Sequence, residues 1–258
     1  MGNFPEIFAA SVLGLIFGSF LNVVIHRLPK AILKDADASL NCLLWPGSTA
    51  PCCGEKLYWY ENIPVISWLV LGGNCGHCKK PITPRYILVE LLTGVAFAWS
   101  IWVYGLGITG SVYALFFAMA ITLFFIDLET FLLPDRLTLA MLWLGLSAAA
   151  MGYLPISPVD AILGACLGYL LPWAINAVYY AVRKHDGFGG GDFKLLAAFG
   201  AWLGWAEIVP ILCGASIIGL IVIGLVSIVK RERLLMSQAL PFGPFLILSG
   251  LSFVIGGA

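Results

Sequence analysis

The stretch Ala114–Asp135, ALFFAMAITLFFIDLETFLLPD, decides how the chain is read. Its first 13 residues are uncharged, and then Asp127, Glu129 and Asp135 follow in quick succession. With residues 110–113 in front, the uncharged run reaches 17 residues. An α-helix needs ~17–25 such residues to cross a bilayer. The segment therefore reads as a membrane helix that carries carboxylates to one edge of the lipid. A carboxylate there is costly unless it faces a polar cavity or a partner. Glu129 reads as an interfacial acid where the helix leaves the membrane. Asp135 reads the same way, or as the cap of the next helix.

The rest of the chain has the same character. Of its 258 residues, 60% are hydrophobic and 11% charged, with mean hydropathy +0.96. A soluble domain carries about 25% charged residues. The apolar residues fall in runs at roughly 5–26, 87–104, 110–126, 137–152, 159–182, 193–206, 208–229 and 240–256. Backbone groups in lipid must be satisfied within the segment, which calls for helices. The expected fold is an all-α integral membrane protein of about eight transmembrane helices with a large cytoplasmic loop after the first. It divides into residues 1–26, the first helix; 27–86, the loop; and 87–258, a helical core. The sixth run is short and rich in Gly and Ala. No cation precedes the first run, so residues 5–26 read as a retained helix and not a cleaved signal peptide. Residues 63–71 (IPVISWLVL) are too short to span, and read as lying at the interface or packed on the bundle. The 29 glycines suit close helix packing. Gly164 and Gly168 make a GxxxG pair, a weak signal in so Gly-rich a chain.

The cations test this topology. All 14 Lys and Arg fall on one side of an eight-span arrangement. Arg27, Lys30, Lys34, Lys56, Lys79, Lys80 and Arg85 follow the first span, and Arg136, Arg183, Lys184, Lys194, Lys230, Arg231 and Arg233 lie in later loops of the same side. The loops around 105–109, 153–158 and 206–208 hold none. The positive-inside rule then places the N-terminus outside and the basic loops in the cytoplasm. The net charge of zero hides this asymmetry. With no basic or acidic tail, nothing points to nucleic acid, and the lipid bilayer is the implied surrounding.

Asp192 stands at the same cytoplasmic edge, before the sixth run, behind Gly187-Phe188-Gly189-Gly190-Gly191. Glycines permit backbone conformations closed to other residues and allow close approach. Gly189 and Gly191 thus read as a device for aiming the Asp192 carboxylate, with a plain flexible linker as the competing reading. A dinucleotide loop is disfavoured, since the last glycine position is Asp192 and no βαβ unit precedes it. Lys194 could favour the charged form of Asp192, or could simply snorkel.

Here a resemblance becomes specific. Gly189–Asp192 followed by FKLLAAFGAWLGW is similar to the GxGD signature of bacterial type IV prepilin peptidases. So are FIDLETFLLPD (125–135), GSFLNVVIHRLP (18–29), WYENIPVISWL (59–69), PRYILVE (84–90) and PFGP (241–244), in the family's order. The resemblance implies a bifunctional membrane enzyme. It would cut the basic leader from prepilin or pseudopilin precursors before a Phe-type residue, then methylate the new N-terminal amine using S-adenosylmethionine. It also implies that Asp127 and Asp192 are the catalytic pair. That chemistry is sound: two nearby carboxylates cannot both ionise easily, so one takes a proton from water while the other polarises the carbonyl. A peptidase without methyl transfer is the nearest alternative. A proton-linked transporter would want acids at mid-span and inverted repeats, and neither is evident. A structural assembly subunit would give no reason for the glycines before Asp192.

Four of the seven cysteines, Cys52, Cys53, Cys75 and Cys78, share the polar loop. Cys75-Gly-His-Cys78 is a C-x-x-C pair suited to tetrahedral zinc. The resemblance implies a second C-x-x-C about 22 residues earlier; there Cys53 matches, but the partner position is Ala50. Cys53, Cys75 and Cys78 are thus the expected ligands, with Cys52, Cys42 or His77 as candidates for the fourth. Free thiols in a reducing cytoplasm are the alternative. Cys166 and Cys213 read as small packing residues within spans, and His26 as interfacial.

Overall fold

The structure, a computed structural model, describes residues 2–33, 47–50, 52–185, 187, 189–230 and 241–257. Lys34, Cys42, Phe188, Arg231 and Arg233 lie outside the described residues. Those described form nine α-helices: α1 Phe4–Leu33, α2 Ile66–Val70, α3 Arg85–Tyr104, α4 Ile108–Thr130, α5 Asp135–Ala150, α6 Pro158–Arg183, α7 Gly190–Leu203, α8 Ile208–Lys230 and α9 Gly243–Gly256. Two 3₁₀ turns, Trp59–Asn62 and Trp205–Glu207, complete the ordered elements. Five helices (α1, α3, α4, α6 and α8, the last with the turn before it) are long and apolar enough to cross a membrane. This is an all-α, multi-pass membrane protein. The chain clusters into two compact units, Met1–Thr122 and Leu123–Ala258.

The first unit is built on α1 packed antiparallel to α3. Glycines set their spacing. A Cβ on Gly14 would lie 2.7 Å from the Thr93 carbonyl oxygen, and one on Gly18 would lie 2.6 Å from Glu90 Cα. Gly14 and Gly18 are four apart on one face, the small-residue pattern that lets membrane helices approach closely. Gly94 returns the contact, with its missing Cβ 2.9 Å from Leu15. The loop between α1 and α3 carries the cysteines and the short helix α2. Ile66, Leu69 and Val70 of α2 are exposed, so this apolar stretch forms one short helix with an outward apolar face.

The second unit is centred on α7. Phe193 and every residue from Leu195 to Trp202 are buried. That explains its short, Gly- and Ala-rich sequence: at 14 residues and about 1.5 Å per residue it is shorter than a bilayer core, but it is surrounded by protein. Helices α5, α6 and α9 pack around it. Gly164 sits directly on Gly200, and a Cβ on Gly168 would be 2.6 Å from the Leu196 carbonyl. The GxxxG pair that carried little weight in the sequence is therefore the α6–α7 seam. Trp202 Nε1 donates to the Met141 carbonyl of α5 at 2.9 Å, which satisfies the one polar atom of a buried indole. Helix α8 turns Leu220, Leu225, Ile228 and Val229 outward, an apolar surface of the kind that suits lipid. Cys166 and Cys213, expected as packing residues, are also exposed.

Candidate active site

Both candidate aspartates belong to the second unit. Asp127 lies in the last turn of α4 and is only 4% exposed. A carboxylate there meets the negative end of its own helix. The fold offsets this with another helix: the backbone N–H of Gly243, first residue of α9, donates to Asp127 Oδ2 at 3.0 Å. A Cβ on Gly243 would lie 2.6 Å from that oxygen, so only glycine lets the amide come so close.

Asp192 is the third residue of α7. Its Oδ2 accepts the N–H of Gly189, the residue before the helix, at 3.2 Å. This is the carboxylate half of a capping box, at the helix end that favours negative charge. Each aspartate thus rests on a backbone amide at a helix start. Leu133 borders both sites, beside Gly191 at the start of the Asp192 helix and beside Gly243, which holds Asp127.

The glycine run does only part of what its sequence suggests. Gly189 has φ −73, and none of Gly187, Gly189, Gly190 and Gly191 adopts a positive φ. Conformational freedom is not used here; close approach is. A Cβ on Gly191 would lie 2.7 Å from Leu133 Cβ, whereas one on Gly190 would meet nothing within 4 Å. Lys194 does not pair with Asp192. Its Nζ lies 2.6 Å from Asp135 Oδ1, because the side chain leaves the α7 surface toward the start of α5. Asp135 is the first residue of α5 and not its cap, which is Pro134. Gly243 and Leu133 were not singled out by sequence reasoning. The only signal for Gly243 was its place between Phe242 and Pro244.

The cysteine cluster belongs to the first unit. Isolated bridges pair Thr49 with Lys56 and Asn74 with Pro81, enclosing two matching turns. Ala50 N–H donates to the Glu55 carbonyl at 2.8 Å, as Cys75 N–H does to Lys80 at 2.8 Å. Gly54 donates back to Ala50 at 2.8 Å, as Lys79 does to Cys75 at 3.1 Å. In this register Ala50 corresponds to Cys75, and Cys53 to Cys78. The fourth sulfur comes from the neighbouring Cys52, whose Sγ is 3.0 Å from that of Cys78. The sulfurs of Cys53 and Cys75 are 4.0 Å apart, and all four lie within 4.8 Å of one another. A zinc ion with ~2.3 Å bonds to four thiolates holds them roughly 3.8 Å apart, so the donor set fits that ion. Backbone amides of Cys78 and His77 hold the Cys75 thiol down to about 6, while the Cys78 thiol beside it pushes Cys52 up to about 12. His77, weighed as a ligand, turns its ring nitrogen to Glu61 at 3.3 Å instead.

The fold is thus multi-pass and helical, with Asp127 and Asp192 at two helix ends of its second unit. Residues 12–104 match the bacterial peptidase A24 N-terminal domain, and residues 114–224 match the type IV leader peptidase family. The chain is 40% identical over 258 residues to a prepilin leader peptidase/N-methyltransferase of Xanthomonas campestris pv. campestris, covering 94% of this chain and 88% of that protein. It is 41% identical over 266 residues to the protein of that description from Burkholderia pseudomallei, covering 96% and 84%. The corresponding Stutzerimonas stutzeri protein is 39% identical over 259 residues, covering 95% and 88%. The chain belongs to the type IV leader peptidase family. No solved structure matches it significantly.

Proposed function

We propose that this chain removes the leader from type IV prepilin or pseudopilin precursors at the cytoplasmic face of a bacterial inner membrane, and then methylates the exposed N-terminal amine with S-adenosylmethionine. The observation that carries the reading is the convergence of Asp127 and Asp192, 65 residues apart in sequence, at two helix ends in one unit.

Asp127 and Asp192 share the work of hydrolysis. One ionised carboxylate takes a proton from a water molecule as its oxygen attacks the scissile carbonyl. The other, protonated, donates to the carbonyl oxygen. The tetrahedral species then collapses, the C–N bond breaks, and the nitrogen leaves with a proton. Gly189 and Gly243 hold the carboxylates through their amides, and Gly191 gives the α7 start room beside Leu133. For methyl transfer, the neutral amine's lone pair forms the N–C bond as the C–S bond of the sulfonium breaks toward sulfur. The resulting ammonium then sheds a proton to water.

Cys52, Cys53, Cys75 and Cys78 would hold one zinc ion, whose contribution is to tie the two turns of the loop together. The one-sided distribution of Lys and Arg supports a periplasmic N-terminus, eight spans and a cytoplasmic site. The experiment is incubation of the purified chain with a prepilin and methyl-labelled S-adenosylmethionine. Leader release with label on the new N-terminus is expected. A cut but unlabelled product would reduce the reading to a peptidase alone, and an uncut precursor would overturn it.

A further inference from the structure

Helix α2 is too short to span a bilayer, and its hydrogen bonds fix how deep it lies. The Val65 N–H, at the head of α2, donates to Glu90 Oε2 of α3 at 2.8 Å. Glu90 is the fourth residue of the apolar run that begins at 87. At about 1.5 Å per residue, the bond lies roughly 5 Å inside the edge of that run. The first helix agrees: a Cβ on Gly18 would lie 2.6 Å from Glu90 Cα, and Gly18 is well inside the run 5–26. The start of α2 is therefore level with membrane-spanning parts of α1 and α3. The chain accepts strain to keep it there. Val65 has φ 62 and ψ −50, a conformation that β-branched residues rarely adopt.

The face that α2 presents at this depth is apolar. Ile66, Leu69 and Val70 stand at i, i+3 and i+4, on one side of the helix, and all three are exposed, Val70 by 79%. Trp68 turns the other way. Its Nε1 is buried, and its ring packs on Gly73, where a Cβ would be 2.9 Å away. The 3₁₀ turn Trp59–Asn62 lies against α2 and adds Trp59, 80% exposed. Tyr58 stacks on Tyr60 at 5.4 Å and on His77 at 5.8 Å. Cations flank this stack: Lys56 precedes Tyr58, and Lys79 and Lys80 follow His77, all three exposed. Glu55 is the one exposed acid among the described residues of the loop. Leu88, Leu91 and Leu92 of α3 are exposed at the depth of Glu90, so the lipid that covers α3 there reaches the level of α2.

We infer that α2 and the aromatic turn before it dock into the bilayer leaflet on their own side, with anionic phospholipid headgroups on Lys56, Lys79 and Lys80. A membrane-surface helix buries its apolar face about 5–10 Å into the boundary between headgroups and acyl chains, which matches the depth set by Glu90. Tyr and Trp suit that boundary because an apolar ring carries a polar tip. Lysines reach from it to the headgroups along their own apolar stems. A soluble partner would need the face lifted clear of lipid, whereas the Val65–Glu90 bond holds it down. The cysteine loop is thus tied to the membrane at its middle as well as through α1 and α3.

The test uses the full chain in lipid discs and has two arms. In the first, the tryptophan emission lost in Trp59→Phe is the signal, and the lipid is brominated in the upper acyl chain. Quenching of that signal by the bromolipid is expected. A Trp59 signal that bromolipid leaves untouched means a face that is bare or covered by another protein, and overturns the docking. The second arm uses the unaltered chain, so misfolding of Trp59→Phe leaves the question answerable. Amide hydrogen exchange of residues 66–71 is compared in discs of phosphatidylglycerol and of phosphatidylcholine. Exchange should be slower in phosphatidylglycerol by about fivefold or more, the effect of one lysine at an anionic surface. High salt should shrink the difference, as should Lys79→Gln combined with Lys80→Gln. Equal exchange in the two lipids overturns the headgroup assignment.

Discussion

A carboxylate buried at the end of a helix keeps a useful geometry only if something fixes it, and in this chain backbone amides do so. Glycine tolerance should therefore be uneven. Gly190→Ala adds a Cβ into open space, whereas Gly191→Ala meets Leu133 at 2.7 Å and Gly243→Ala meets Asp127 Oδ2 at 2.6 Å. Misplacement of a reacting group by about 1 Å costs ~100-fold, so the last two should lose most leader cleavage while Gly190→Ala stays near wild type. Comparable loss in all three would break the link between amide placement and activity. The Lys194–Asp135 pair is partly exposed, 31% and 58% for the two side chains, and such pairs contribute about 0–1 kcal/mol. Asp135→Asn should accordingly cut at close to the wild-type rate in the same assay. Asp192 was legible because acid and glycines are adjacent in sequence. The amide on Asp127 was not, since Gly243 is 116 residues away. Sequence proximity offered Lys194 either as a neighbour of Asp192 or as a snorkelling lysine, but its partner, Asp135, lies 59 positions earlier.

Elements carry the next level of constraint. Helix α7 is held from both sides by glycine contacts, and Gly168→Leu would drive a large side chain into the Leu196–Ala197 backbone, 2.6–2.9 Å from where its Cβ must sit. Overpacking of this kind typically costs ~1–3 kcal/mol, so the variant should unfold at lower temperature and lose cleavage with it; an unchanged melting curve would contradict the seam. Composition made the sixth run look doubtful as a span. Its burial among α5, α6 and α9 is the reason, because a helix enclosed by protein needs neither span length nor a lipid-facing surface. The cysteine loop shows the limit of register arguments. The resemblance marked Ala50 as the gap and left Cys52, Cys42 or His77 to fill it; of the two that lie among the described residues, Cys52 is the one whose sulfur joins the other three. Metal analysis should find about one zinc per chain, and Cys52→Ala should lower that content and loosen the loop to proteolysis. A folded wild-type preparation without zinc would retire the site.

At the scale of the whole molecule, the proposed topology turns every basic loop toward one compartment. Reporter fusions within 52–80 should give a cytoplasmic signal and fusions within 153–158 a periplasmic one. A periplasmic cysteine loop would put the aspartates in the wrong compartment. Helix class and the candidate pair were readable because hydrophobic run length and motif spacing are local properties. The unit boundary at Thr122 was not, because it falls inside the continuous helix α4 and depends on which neighbours each half packs against. The central claim is that Asp127 and Asp192 act as two distinct proton-handling groups of one peptidase. Its most direct test is leader cleavage by Asp127→Asn and Asp192→Asn, each purified as an inserted protein, with Glu129→Gln as the control. Asparagine keeps the shape but cannot exchange the proton, and each group is worth ~100–10,000-fold. Cleavage should fall by at least that range in either aspartate variant and persist in the control, and methylation of a pre-cut pilin should survive in all three. Wild-type cleavage by Asp192→Asn would contradict the account.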